Sequence, residues 1–87
     1  MISTADIESL LIQALPGAKI EVQDPNHDGQ HFAAIVIAEQ FTGLTTIKQH
    51  RLVNEALKSH LDSGAIHALQ LKTYSPEQWQ NVSVQLS

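Results

Sequence analysis

The chain has no cysteine. It therefore cannot form a disulfide, cannot use a thiol nucleophile, and cannot by itself give thiolates to zinc or iron. Positive charge is also scarce, since five Lys and Arg stand against nine Asp and Glu for a formal net charge of −4 at pH 7. That balance argues against a chain whose main task is non-specific phosphate binding, which depends on Lys and Arg displacing counterions. Long apolar runs are missing as well. The longest, FAAIVIA at 32–38, falls far short of the ~20 residues that a membrane span needs. The start, MISTADIESL, carries Asp6 and Glu8 early and no basic segment leading into an apolar one. This argues against a secretory signal and predicts a cytoplasmic protein with no membrane partner. A length of 87 residues makes 1–87 a single domain with a small core.

What is present reads as alternating helices and strands. Residues 4–15 put Ile7, Leu10, Leu11, Ala14 and Leu15 at helical spacing, with Ser3 or Thr4 as N-cap and Pro16–Gly17 as the stop. AKIEVQD at 18–24 alternates as a half-buried strand, and DPNHDGQ at 24–30 has the composition of a hairpin loop. HFAAIVIAEQF at 31–41 is apolar on both faces and β-branched, as expected of the most buried strand of a small sheet covered by helices. Thr46 and Gln49 then make a capping box for a second helix, the longest, with the stripe Val53, Ala56, Leu57, His60 and Leu61 and an end near Gly64. A third strand covers 66–73. Ser75 and Gln78 form another capping box, Pro76 fits the first helical position, and Tyr74 and Trp79 complete a hydrophobic staple for a short final helix. The fold class is α+β in the order α-β-β-α-β-α. Strands one and two pair antiparallel, the helical crossover brings strand three in parallel, and the mixed three-stranded sheet carries its helices on one face.

Five histidines, at 27, 31, 50, 60 and 67, are the residues most able to carry chemistry. His60 falls on the apolar stripe of the second helix and reads as a packing residue. His50, beside Lys48 and Arg51 at that helix's start, reads as solvated or as a surface contact. Strand alternation puts His67 on the same side as Leu69 and Leu71, leaning toward a core, opposite Ile66, Ala68, Gln70 and Lys72. Burying an unpaired imidazole costs roughly 1–3 kcal/mol, so at His67 a ligand, a hydrogen-bond partner or a strand-end position open to solvent must offset it. His27 and His31 flank Asp28 in the hairpin region, and a loop leading into strand two could meet the start of a strand pairing with it. Asp24, His27 and Asp28 sit in what reads as a mobile, solvated turn, without the nucleophile or paired carboxylates that hydrolysis needs, so the chain is not read as an enzyme.

HFAAIVIAEQFTGLTTIKQHRLVNEAL followed by GAIHALQLKTYSPEQW resembles the BolA family, including its YrbA or IbaG branch. The shared pattern is an aromatic opening a strand, an F-x-G loop, an H-R-L-V helix start, an I-H-A-L strand and a T-x-x-P-E-x-W ending. The resemblance implies a class II KH-like fold and a partner, a monothiol glutaredoxin of the CGFS type. With that partner and glutathione the family shares a [2Fe-2S] cluster in iron-sulfur trafficking or iron-status signalling, and no cofactor is expected in the isolated chain. The family's C-terminal histidine ligand matches His67, and its loop ligand matches His31, with His27 as the fallback. Imidazoles would complete a cluster whose sulfur ligands come from the partner and glutathione, and such ligation fails as pH falls through the histidine range. Lys48, His50 and Arg51 are the expected partner-contact surface. A homodimer of the apo chain stays open as an alternative. A KH-like nucleic-acid regulator is the second reading of the same resemblance. It is weakened by Glu55 among Lys48, Arg51 and Lys58, by Gln49 where the family has a basic residue, and by the lack of a G-x-x-G loop after Gly43.

Overall fold

Ser3 starts the first helix by a reciprocal cap. Its Oγ accepts from the Asp6 amide at 3.1 Å, and its own amide donates to Asp6 Oδ2 at 3.0 Å. In this computed structural model, which describes residues 2–86, that helix is α1, Thr4–Ala14. Ile7, Leu11 and Leu15 are buried, whereas Ala14, expected on the same stripe, is exposed. Strands β1 (Lys19–Gln23) and β2 (His31–Ile37) pair antiparallel, β3 (Ala68–Tyr74) pairs parallel to β2, and the order across the sheet is β1-β2-β3. The mixed three-stranded sheet and the element order are those predicted. One cluster contains Ile7 and Leu11 of α1, Phe32 and Val36 of β2, and Val53 and Leu57 from the second helical region.

β2 is shorter and less covered than its composition suggests. Residues 39–41 leave the strand as one 3-10 turn, which carries the fully buried Phe41 into the core. Along β2 burial alternates, so Phe32, Ala34 and Val36 face the core while Ala33, Ile35 and Ile37 stay half-exposed on the open face of the sheet. β-branched residues therefore serve the strand conformation here as well as burial.

The second helix differs in three ways. Its N-cap is Thr45, whose Oγ1 accepts from the Lys48 amide at 3.3 Å, so Thr46 is the first helical residue and the expected Thr46–Gln49 box does not form. Gln49 instead turns inward and is fully buried, its Nε2 facing Leu44 O at 3.0 Å, Gln78 Oε1 at 3.2 Å and Phe41 O at 3.4 Å. Among the described residues its Oε1 has no hydrogen-bond partner. The helix also breaks at Leu57 into α2 (Thr46–Ala56) and α3 (Lys58–Asp62). No Pro or Gly marks that break. Leu57 keeps its side chain wholly in the core while the backbone turns at φ −106°, ψ 9°, and α3 then presents His60 O to the Ile66 amide at 3.0 Å. Gly64, at φ 82°, supplies the left-handed residue that ends α3.

The last signal is fully expressed. Ser75 N donates to Gln78 Oε1 at 2.9 Å, Gln78 N donates to Ser75 Oγ at 3.2 Å, and the Tyr74 and Trp79 rings lie 5.4 Å apart. The helix that follows, α4 (Pro76–Leu86), is not short: it has 11 residues, as many as α1 and α2.

Candidate metal-ligand site

The hairpin between β1 and β2 is organised by its own aspartates. Asp24 accepts backbone N–H bonds from Asp28 (Oδ1, 3.2 Å) and Gly29 (Oδ2, 2.9 Å), and its carbonyl accepts from His27 at 3.0 Å. Asp28 Oδ1 accepts from Gln30 N at 2.9 Å and His31 N at 3.0 Å. Asn and Asp favour turns because their short side chains bond nearby backbone in this way. The stretch that read as a mobile, solvated turn is thus tied at both ends by carboxylates.

A second set of bonds brings β3 to this loop. Gln30 O accepts from both His67 N (3.0 Å) and Ala68 N (3.1 Å), and the parallel register sets His31 opposite Ala68. The His31 and His67 rings consequently meet edge to face, with centroids 5.2 Å apart and planes at 76°. Both are accessible, the His31 side chain at 43% and His67 classed as exposed. His67 therefore does not lean into the core. Ile66, placed on the opposite side by strand alternation, is the buried neighbour at 1% exposure. Alternation applies only from Ala68 onward. Before it, the backbone follows the bonds to His60 O and Gln30 O instead of a pleat.

Asp28 also contacts the site through its other oxygen, Oδ2, which lies 2.7 Å from His31 Nδ1. The two backbone amides on Oδ1, ahead of the His31 ring, hold the Asp28 carboxyl well below the ordinary carboxylate range. The residues-first reading did not single out Asp28 as a partner of His31, although the spacing D-x-x-H across a turn was available as a signal. His27 is exposed, in a left-handed conformation at φ 53°, and the ring pair that forms is His31 with His67.

Lys48, His50 and Arg51 lie elsewhere. They occupy the first turns of α2, where the neighbouring Gln49 touches Phe41 and Gln78, beyond the Ile37 and Tyr74 end of the parallel strands. The imidazole pair stands at the His31 and Ala68 end, one seven-residue strand away. At ~3.3 Å per residue that is about 20 Å. His60 is half-buried in a shallow depression with Ile2, Asp6, Ser9 and Leu10, distinct from the pair.

As a donor set the pair is half a site. Among the described residues no group of three or more His, Cys, Asp or Glu side chains is placed to hold a metal ion. Two adjacent, accessible imidazoles do suit one iron of a two-iron, two-sulfur centre of the Rieske type, in which two histidines replace two thiolates. A centre held there would need its remaining ligands from another molecule, because this chain has no cysteine.

The family model described as BolA-like protein matches residues 11–78. The acid stress protein IbaG of Escherichia coli K12 is 32% identical over 74 residues, covering 85% of this chain and 84% of its own length. A protein of Vibrio cholerae described as the DNA-binding transcriptional regulator BolA is 39% identical over 59 residues, covering 68% of this chain and 55% of its own length. A solved structure of a BolA homologue from Coxiella burnetii is 40% identical, covers 92% of this chain and 99% of its own, and superposes with a TM-score of 0.77.

Proposed function

The chain belongs to the BolA family, and from that premise we propose that it is an adaptor that pairs with a monothiol glutaredoxin of the CGFS type and co-ligates a bridging [2Fe-2S] cluster. The observation that carries this reading is the His31–His67 pair, two imidazoles 5.2 Å apart at the surface of a chain without cysteine. His67 and His31 would hold the cluster from this side, and thiolates of glutaredoxin and glutathione from the other. When bound, such a cluster supplies one-electron chemistry at a potential raised above that of an all-thiolate centre. The chain's own contribution is ligation, orientation and contact surface, with no turnover of substrate. Imidazole binds metal only when deprotonated, so acid releases the ligands.

Lys48, His50 and Arg51 are a second contact surface in this reading, at the far end of the sheet from the imidazoles. They would meet acidic groups of a partner large enough to span that distance or of a separate one. The test is to mix the chain with a CGFS glutaredoxin, iron, sulfide and glutathione and record visible circular dichroism. A spectrum distinct from that of the glutaredoxin homodimer is expected, and an unchanged one refutes the adaptor reading.

A nucleic-acid function is the second reading. It is favoured by the description of the Vibrio cholerae relative and by the exposed Lys48 and Arg51 on the first turns of α2. The net charge of −4 and the buried, neutral Gln49 between those cations weigh against it. A salt-dependent mobility shift on DNA would support it.

A further inference from the structure

We propose that Asp28 is a positioning residue for the ligand pair: its carboxylate holds His31 in the tautomer with hydrogen on Nδ1 and so presents the Nε2 lone pair for ligation beside His67. The inference deepens the adaptor reading and, in its role toward the cluster, rests on it. Its geometric part stands on the metal-free chain alone.

An ionised carboxylate only accepts hydrogen bonds, so the Oδ2 contact of 2.7 Å requires a hydrogen on His31 Nδ1. A neutral imidazole has one N–H and one lone pair, and the lone pair is then at Nε2. The carboxylate is not free to swing away. Its other oxygen accepts from Gln30 N and His31 N, and the Asp28 amide is itself held by Asp24 Oδ1. The hydrogen-bonded chain from Asp24 through Asp28 to the His31 ring thus fixes both the ring's position and which nitrogen it offers. His67 differs, since its ring has no hydrogen-bond partner among the described residues while its backbone is anchored to Gln30 O. The site therefore combines one preset imidazole with one that can rotate to meet an incoming metal. A carboxylate behind a ligating histidine commonly has this orienting effect, and its loss typically weakens metal binding by about 10–100-fold.

Asp28→Asn tests the assignment. The amide oxygen can keep both backbone bonds, but the amide nitrogen would then face His31 Nδ1 and donate to it, which moves the ring hydrogen to Nε2. Long-range proton–nitrogen NMR of the metal-free chain, at a pH above the histidine range, should show hydrogen on His31 Nδ1 in the wild type and on Nε2 in the variant. The backbone amide spectrum should be unchanged outside the loop. Asp28→Ser, whose hydroxyl can cap Gln30 N without reaching the ring, should give a mixture of the two tautomers. Hydrogen on Nε2 in the wild type, or no change in either variant, overturns the proposal. In the complex with a CGFS glutaredoxin and glutathione, Asp28→Asn should surrender the cluster to a chelator about 10–100-fold faster. An inverted tautomer with unaltered cluster release overturns the positioning role. If the wild-type mixture forms no histidine-ligated cluster, the adaptor reading fails, and the NMR result alone then decides the ring assignment.

Discussion

Truncating the buried amide of Gln49 to Ala should cost about 1 kcal/mol of stability. The wild-type Nε2 faces three acceptors at 3.0–3.4 Å, the carbonyls of Leu44 and Phe41 and Gln78 Oε1. Its two hydrogens make two good bonds at most. Gln78 Oε1 retains the Ser75 amide and Phe41 O retains the Leu44 amide after truncation, so the stranded group is the Leu44 carbonyl, worth ~1–3 kcal/mol when left unpaired. Losing one buried methylene adds ~0.8 kcal/mol. Against this, truncation also removes Gln49 Oε1, a buried acceptor with no partner, and returns a similar ~1–3 kcal/mol. For a domain of this size ~1 kcal/mol moves the melting temperature by about 4–8 °C, and a fall of that size is expected in a thermal unfolding curve followed by far-ultraviolet circular dichroism. A Gln49→Ala melting temperature within about 3 °C of wild type would refute this account of the junction.

His67→Ala should leave the melting temperature nearly unchanged, since an exposed ring loses at most an edge-to-face contact of ~0.5–1.5 kcal/mol, yet abolish the mixed-cluster spectrum. An unaltered spectrum would exclude His67 as a ligand. His27→Ala should leave that spectrum intact while His31→Ala removes it, and the reverse pattern would transfer the second ligand to His27. Asp6 and Asp28 are both held below the ordinary carboxylate value of 3.8, chiefly by backbone amides, so folding favours their ionised forms. Their stabilisation is therefore complete above that value and drains away as pH falls below it. The melting temperature of an Asp6→Asn, Asp28→Asn double variant should fall less than that of wild type between about pH 5 and about pH 3, and equal slopes would count against the shifts.

How much of this was legible before the structure depended on how local each signal is. Ser3 and the Ser75–Pro76–Gln78 start announce themselves because caps are settled within one turn of chain. The alternation of β1 and the apolar run of β2 placed the sheet. The break at Leu57 left no mark, since neither Pro nor Gly is required and the cause is a side chain held in the core. Thr45 and Thr46 are equally good caps by composition, and only the inward turn of Gln49 separates them. The orientation of His67 escaped the alternation rule because partners far away in sequence, Gln30 O for His67 and His60 O for Ile66, shape the chain there. At the candidate site the family motifs pointed to His31 and His67, whereas residue spacing alone could not join two histidines on either side of a helical crossover. The Asp28 contact lay within three residues of His31 and was the most readable feature to be passed over.

The parallel pairing that sets His31 opposite Ala68 also has a meaning in time. During synthesis His31 leaves the ribosome first, and its companion follows only after the whole helical crossover has been made, a few seconds later at ~5–20 residues per second. Until then a nascent chain offers only one imidazole of the pair. The pair comes into being as the third strand docks, so in the proposed adaptor role readiness to receive metal would coincide with completion of the sheet, and a chain cut short before residue 67 would carry only one imidazole of the pair.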